Sequence, residues 1–265
     1  MITSLKFLAA GALAIVATAT DAQERRSDRA FTWEGNVPAG RWLYVRNLNG
    51  PIRVERGSGN RVEVVGTKRW RRGNPDDVRI EMKKSGDDVI ICAIWRENTR
   101  CDEEGYRTRG DGWRSGNRNN DTSVEFVVQL PEGVKLVASS VNGELDIRGA
   151  TAEVEANTVN GSIDASSSGG PVKASTVNGS IVVKMAELGR GDLDFSTVNG
   201  SIEVWVPGSL NADVDMRTVN GRVDSDFAMT LSGRINPRHI RAKIGDGGRR
   251  ISFSTVNGSV ELRKQ

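Results

Sequence analysis

Side chains that carry chemistry are scarce: the 265 residues include one histidine, two cysteines and two tyrosines, and aromatics make up only 5%. With a single imidazole, a Ser-His-Asp hydrolase would have to be built around His239, within Asn236-Pro237-Arg238-His239, and no Gly-x-Ser-x-Gly elbow presents a nucleophile. Two cysteines and one remote histidine do not make a zinc set. The sequence also lacks a phosphate-cradling glycine loop, a nucleic-acid motif and a cofactor signature, so no cofactor, metal or nucleic-acid partner is expected. Apolar runs are confined to the start, where Phe7 to Ala19 is nearly unbroken; that run is shorter than the ~20 residues of a membrane span.

The run follows one early positive charge, Lys6, and ends in small residues before Gln23, the pattern of a secretory signal peptide at 1–22 cut after Ala22, or alternatively after Ala19. Neither cysteine lies near that site, so a lipid anchor there is not expected. No later segment could span a bilayer as a helix, and the mature chain is expected to be soluble and exported: periplasmic, cell-surface or secreted. In an oxidising compartment Cys92 and Cys101 are expected to form a disulfide that tethers the strand at 89–95 to the polar segment after it. Charge is uneven, with 21 Lys and Arg against 15 Asp and Glu between Gln23 and Arg118, and 15 against 18 from Asn119 onward. The basic cluster Lys68-Arg69-Trp70-Arg71-Arg72 suits anionic glycans, lipopolysaccharide or a membrane surface; a solvated loop between strands is the plainer reading.

What the sequence has in abundance is repetition. Val-Asn-Gly occurs at Val141-Asn142-Gly143, Val159-Asn160-Gly161, Val177-Asn178-Gly179, Val198-Asn199-Gly200, Val219-Asn220-Gly221 and Val256-Asn257-Gly258, with Leu48-Asn49-Gly50 as a relative. From Asn to Asn in the main array the spacings are 18, 18, 21, 21 and 37. The last is close to twice the others, which implies one coil that has lost its motif, with Leu231-Ser232-Gly233-Arg234-Ile235 as its remnant.

Asn-Gly between apolar residues is a strong hairpin signal, but parity rejects it here. A two-residue hairpin at Asn178-Gly179 would put Val177 and Ile181 on opposite faces, whereas a continuous strand puts Val177, Gly179, Ile181 and Val183 on one. The second pattern recurs through the array. Upstream alternations such as Leu193-x-Phe195-x-Thr197 end one residue out of phase, so the chain turns a corner between Thr and Val, with both residues expected inward. The expected fold is all-β: a single-stranded β-solenoid, β-helix-like, with coils of about 18 to 21 residues. Gly50, Gly143, Gly161, Gly179, Gly200, Gly221 and Gly258 would sit where a corner has no room for a Cβ, and Asn49, Asn142, Asn160, Asn178, Asn199, Asn220 and Asn257 would form a hydrogen-bonded ladder. The expected layout is a signal peptide at 1–22, irregular β coils at 23–130 with a polar excursion loop at 96–121, and the regular array at 131–265.

These motifs resemble a bacterial family of unknown-function domains described as adhesins: the signal peptide, Pro131-Glu132-Gly133-Val134 leading into the array, the serial Thr-Val-Asn-Gly-Ser-Ile coils, and the ending Ile244-Gly245-Asp246-Gly247-Gly248 before Ser254-Thr255-Val256-Asn257-Gly258. The resemblance covers nearly all of the mature chain and implies an exported β-solenoid. It supplies no catalytic or binding residue. The expected function is therefore non-enzymatic, an adhesin or envelope scaffold displaying a rigid surface to a cell-surface glycan or another envelope protein. One alternative is a module for acidic polysaccharide using the basic N-terminal half with Trp70, Trp95 and Trp113. Another is a polysaccharide-degrading enzyme using Asp76-Asp77, Asp87-Asp88, Asp164, Glu203 or Asp224. Gly245-Asp246-Gly247-Gly248 reads as a tight turn, and Arg109-Gly110-Asp111 as a chance tripeptide.

Overall fold

The computed structural model describes residues 30–108, 120–233 and 236–265. The expected signal peptide, Trp113, Arg109-Gly110-Asp111 and Arg234-Ile235 lie outside the described residues. Within them the chain is all β apart from one 3-10 turn, Pro75–Asp77, and no helix is long and apolar enough to cross a membrane.

The N-terminal strands are β1 (Ala30–Gly35), β2 (Trp42–Arg46), β3 (Ile52–Arg56), β4 (Val62–Arg69), β5 (Arg79–Ser85), β6 (Asp88–Ile94), β7 (Thr99–Asp102), β8 (Gly105–Thr108) and β9 (Ser123–Leu130). The regular array follows as β10 (Lys135–Ser139), β11 (Leu145–Ala150), β12 (Val154–Asn157), β13 (Ile163–Ser167), β14 (Val172–Ser175), β15 (Ile181–Met185), β16 (Leu193–Ser196) and β17 (Ile202–Val206). The last six are β18 (Ala212–Asn220), β19 (Val223–Ser225), β20 (Thr230–Leu231), β21 (His239–Ile244), β22 (Arg249–Asn257) and β23 (Val260–Lys264). The molecule is a β-solenoid. A ten-stranded front sheet and an eleven-stranded back sheet enclose one main core, and each coil passes through the back sheet, turns a corner and returns through the front sheet.

Parallel register stacks like on like. Ile52, Leu145, Ile163, Ile181, Ile202 and Val260 form one buried column of the front sheet. Each such side chain is worth about 1.5–3 kcal/mol over its exposed state. Coil length and core volume go together. The back-sheet column is Ala138, Ala156 and Ala174 where motifs are 18 residues apart, and Phe195 and Phe253, with ring centroids 5.4 Å apart, where the coils are longer. A wider coil needs a larger side chain to leave no void.

The stacking order departs from chain order at both ends. The coil of β2 and β3 lies between that of β6 and β9 and that of β10 and β11. Likewise β22 and β23 lie between β16–β17 and β18–β19. This corrects the reading of the 37-residue gap: no coil has lost its motif. Residues between the two last motifs instead supply β20 and β21; β21 runs antiparallel on β18, β20 runs antiparallel on β21, and the pair ends the back sheet, with Leu231 exposed in β20. At the opposite end β4 runs antiparallel on β9 and β1 on β4, and β5 runs antiparallel on β6. Antiparallel strands thus end both edges of the back sheet and one of the front; the other front edge is β19, a strand of only 3 residues parallel to β23.

Candidate functional site

The corner is built residue by residue to join coils. Thr158, Thr176, Thr197 and Thr255 point inward and are buried, and each hydroxyl donates to the carbonyl of the motif glycine in the neighbouring coil at 2.9 Å. A Cβ on Gly161, Gly179 or Gly200 would come within 2.2 Å or less of that same neighbouring carbonyl oxygen, so glycine is required by close backbone approach. The asparagines form a continuous amide ladder in which Asn220 donates to Asn257, Asn257 to Asn199, Asn199 to Asn178, Asn178 to Asn160 and Asn160 to Asn142, at 2.7–2.8 Å. Asn49 donates instead to the Thr122 carbonyl at 3.0 Å. The motif valines depart from expectation. Val159, Val177, Val198, Val219 and Val256 are exposed, between 37% and 55%, because the inward place at the corner is taken by threonine alone.

With the corners committed to stacking, the outer faces carry what variation there is. On the back sheet, register aligns three outward columns. The first includes Trp42 and Lys135. The second runs Tyr44, Val137, which is buried, Glu155, Lys173, Asp194 and Ser252, then Asp215 and Arg241. The third runs Arg46, Ser139, Asn157, Ser175, Ser196 and Ser254. Short side chains in the third column and at Ser252 leave an open trough of about 510 Å³ lined by Glu155, Asn157, Lys173, Ser175, Asp194 and Arg250 among others. A second hollow of about 440 Å³ shares Arg250 and continues past Asp213, Asp215, Arg217 and Arg241.

Electrostatics along the trough are mixed. Lys173 bridges Glu153 and Glu155 at 3.4 and 3.3 Å. Burial raises the Asp194 carboxyl, against the lowering effect of Arg250 and Lys173. Asp215 accepts from Arg217 at 2.7 Å, lies 3.0 Å from His239 Nε2 and 3.3 Å from Arg241, and the Arg217 hydrogen bond leads in holding its pKa down to about 2. At the far end Trp42 lies against Tyr44 with ring centroids 6.1 Å apart, and Lys135 Nζ sits 5.0 Å from the Trp42 ring centroid. The hairpin of β7 and β8 closes that end. The bonded pair Cys92–Cys101 ties it to β6, Tyr106 donates to the Ala93 carbonyl at 2.8 Å, and Tyr44, Cys101 and Tyr106 cover Ile90, Cys92 and Ile94.

The other candidates from the sequence are scattered. Asp76 and Asp77 lie in the 3-10 turn, Asp87 pairs with Arg41 at 3.3 Å, and Asp88 accepts the Trp42 amide at 2.9 Å. On the front sheet Asp164 is two strands from Glu203, which accepts the Trp205 indole N–H at 2.6 Å, and Asp224 pairs with Arg263 at 3.1 Å. Among the described residues no three His, Cys, Asp or Glu side chains are grouped to hold a metal ion. In the basic cluster of the N-terminal half Arg69 shares Glu125 with Arg53, Arg72 lies 4.0 Å from Asp121, and Asp121 accepts the Arg71 and Arg72 backbone amides at 2.9 and 2.8 Å. Trp95 packs partly buried against the core and donates to the Thr122 carbonyl. Residues 245–248 form a turn tied by Asn211 and Asp213 to the Asp246 and Gly248 amides. The trough residues were open to discovery in the sequence as the outward positions of the short alternations upstream of each motif, such as Lys173 in Val172-x-Ala174 and Asp194 in Leu193-x-Phe195.

No curated protein matches the sequence significantly. A candidate cell adhesion protein from Clostridium sporogenes ATCC 15579 is 12% identical over 89% of this chain and 99% of that chain, with a TM-score of 0.42. A candidate adhesin from Bacteroides fragilis NCTC 9343 is 13% identical over 91% of this chain and 99% of that chain, with a TM-score of 0.31. At these values neither likeness bears on function. The Toastrack DUF4097 family model matches residues 128–263, from the end of β9 to the end of β23. That match takes in every corner of the array from Asn142 to Asn257 and more than half of the chain, and the chain belongs to the Toastrack DUF4097 family.

Proposed function

We propose that the protein is a non-enzymatic, exported adhesin or envelope scaffold that uses its solenoid as a rigid display surface. One observation carries this reading: the repeated threonine, asparagine and glycine of each corner are consumed in binding coil to coil, so that two broad outer faces with fixed column spacing remain for contact. A stack of that kind holds surface groups in register at ~4.8 Å per coil without further ordering cost. The apolar run at Phe7 to Ala19 supports export, to the periplasm, the cell surface or the medium. Among the described residues every buried side-chain nitrogen and oxygen has a hydrogen-bond partner, which suits a scaffold better than a site that stores unpaired groups for chemistry.

The test is an adhesion assay: beads coated with residues 23–265 are expected to adhere to cells or isolated envelopes above beads coated with an unrelated solenoid. Equal adherence of the two, or turnover of any glycan in a reducing-end assay, would refute the proposal.

A further inference from the structure

We propose that the trough on the back sheet binds a linear, uncharged, hydroxyl-rich glycan laid along the solenoid axis, across the strands. The inference rests on the surface-contact reading above and gives it a site and a ligand class. Its first support is direction. The columns repeat once per strand, and from β2 to β21 they cross seven strand spacings of ~4.8 Å, roughly 34 Å, which suits a polymer of repeating units.

The second support is the donor and acceptor set. Lys173 and Arg250 donate, Glu155 and Asp194 accept, and Ser175 and Ser252 do both, a mixture that matches sugar hydroxyls, each of which also does both. Charge narrows the class. Two cations face three carboxylates in the trough, Glu155, Asp192 and Asp194, and in the adjoining hollow Arg217 and Arg241 are matched by Asp213 and Asp215, so a polyanion would find no run of positive charge there. An extended peptide has no place to add, because strands in the sheet interior have their backbone groups committed to both neighbours. The third support lies at the end of the same columns. Trp42 and Tyr44 are half-buried there, with Lys135 over the Trp42 ring and Arg46 over the Tyr44 ring, so that aromatic edges and hydroxyl-binding donors lie side by side. The open walls let a long chain pass over without threading.

The experiment is affinity electrophoresis of the full mature chain through gels containing soluble mixed-linkage β-glucan, glucomannan or xylan, and separately polygalacturonate or heparin. Ser252→Trp fills the trough and Lys173→Ala removes a donor; Lys184→Ala, on the front sheet, is the control. Retardation by at least one neutral glycan, weakened at least tenfold by both trough variants and unchanged in the control, is the expected result. Retardation that the trough variants leave intact, or that only the anionic gels produce, overturns the site and ligand class while leaving the adhesion reading standing. Unretarded protein whose coated beads still adhere to cells does the same. Absence of both retardation and adhesion overturns both.

Discussion

Within one corner, Thr176, Val177, Asn178 and Gly179 have four different jobs, and substitution separates them. At Gly179 a methyl would meet the Gly161 carbonyl oxygen at 2.0 Å, so Gly179→Ala is expected to cost about 1–3 kcal/mol, as overpacking does. Gly59→Ala, whose Cβ meets only one atom at 4.0 Å, should stay within about 0.5 kcal/mol; urea unfolding of the pair checks both. Thr176→Val keeps the shape and orphans the Gly161 carbonyl, with an expected loss of about 1–3 kcal/mol, whereas Val177→Thr next to it should be nearly neutral because Val177 is exposed. Parity located the corner correctly but could not assign this pair. Both residues are β-branched and of similar size, and only the neighbouring coil's carbonyl, a partner 15 residues away, decides which one turns inward.

Single elements carry the next set of effects. Strand β21 is pinned to β18 through Asp215, where Arg217, His239 and Arg241 converge. A carboxyl held down to about 2 binds fewer protons folded than unfolded, so its contribution is complete above the ordinary carboxylate range and is lost as pH falls towards 2. The expected result is that amide exchange in β21 speeds up between about pH 4 and 2, relative to β14, and that Asp215→Asn flattens this dependence. A similar pin, covalent this time, holds the hairpin of β7 and β8. Its ends are 9 residues apart, and loop-closure entropy puts its removal in Cys92→Ser at about 2–3 kcal/mol. Proteolysis should then cut within 96–108 while the array stays resistant. The strands themselves were legible because alternation and corner spacing are local. The trough was not, because Glu155, Lys173, Asp194 and Ser252 become neighbours only through register between coils.

For the whole molecule the order of stacking is the decisive fact, and it lies beyond what the repeat discloses. Every motif is nearly the same, so Gly221 and Gly258 are equally suited to lie on Gly200; the structure puts Gly258 there and Gly221 on Gly258. What decides is the antiparallel pairing of β21 with β18, backed by β20 on β21, which makes β18 fit for an end and leaves the middle berth to β22. A chain lacking residues 249–265 is therefore expected to re-seat β18 and β19 on β16 and β17 and to keep hydrogen-exchange protection there; loss of protection in both strands would show that they cannot take that berth. In a solenoid stacked in chain order the same deletion would re-seat nothing.

That insertion also has a meaning in time. A chain made from its N-terminus presents β18 and β19 to β16 and β17 before β22 and β23 exist, and the same threonine, asparagine and glycine partners are waiting. Completion then requires one coil to yield its seat to a later arrival. Refolding of this end is therefore expected to show a slow phase, from that exchange of neighbours, which a chain ending before β22 lacks.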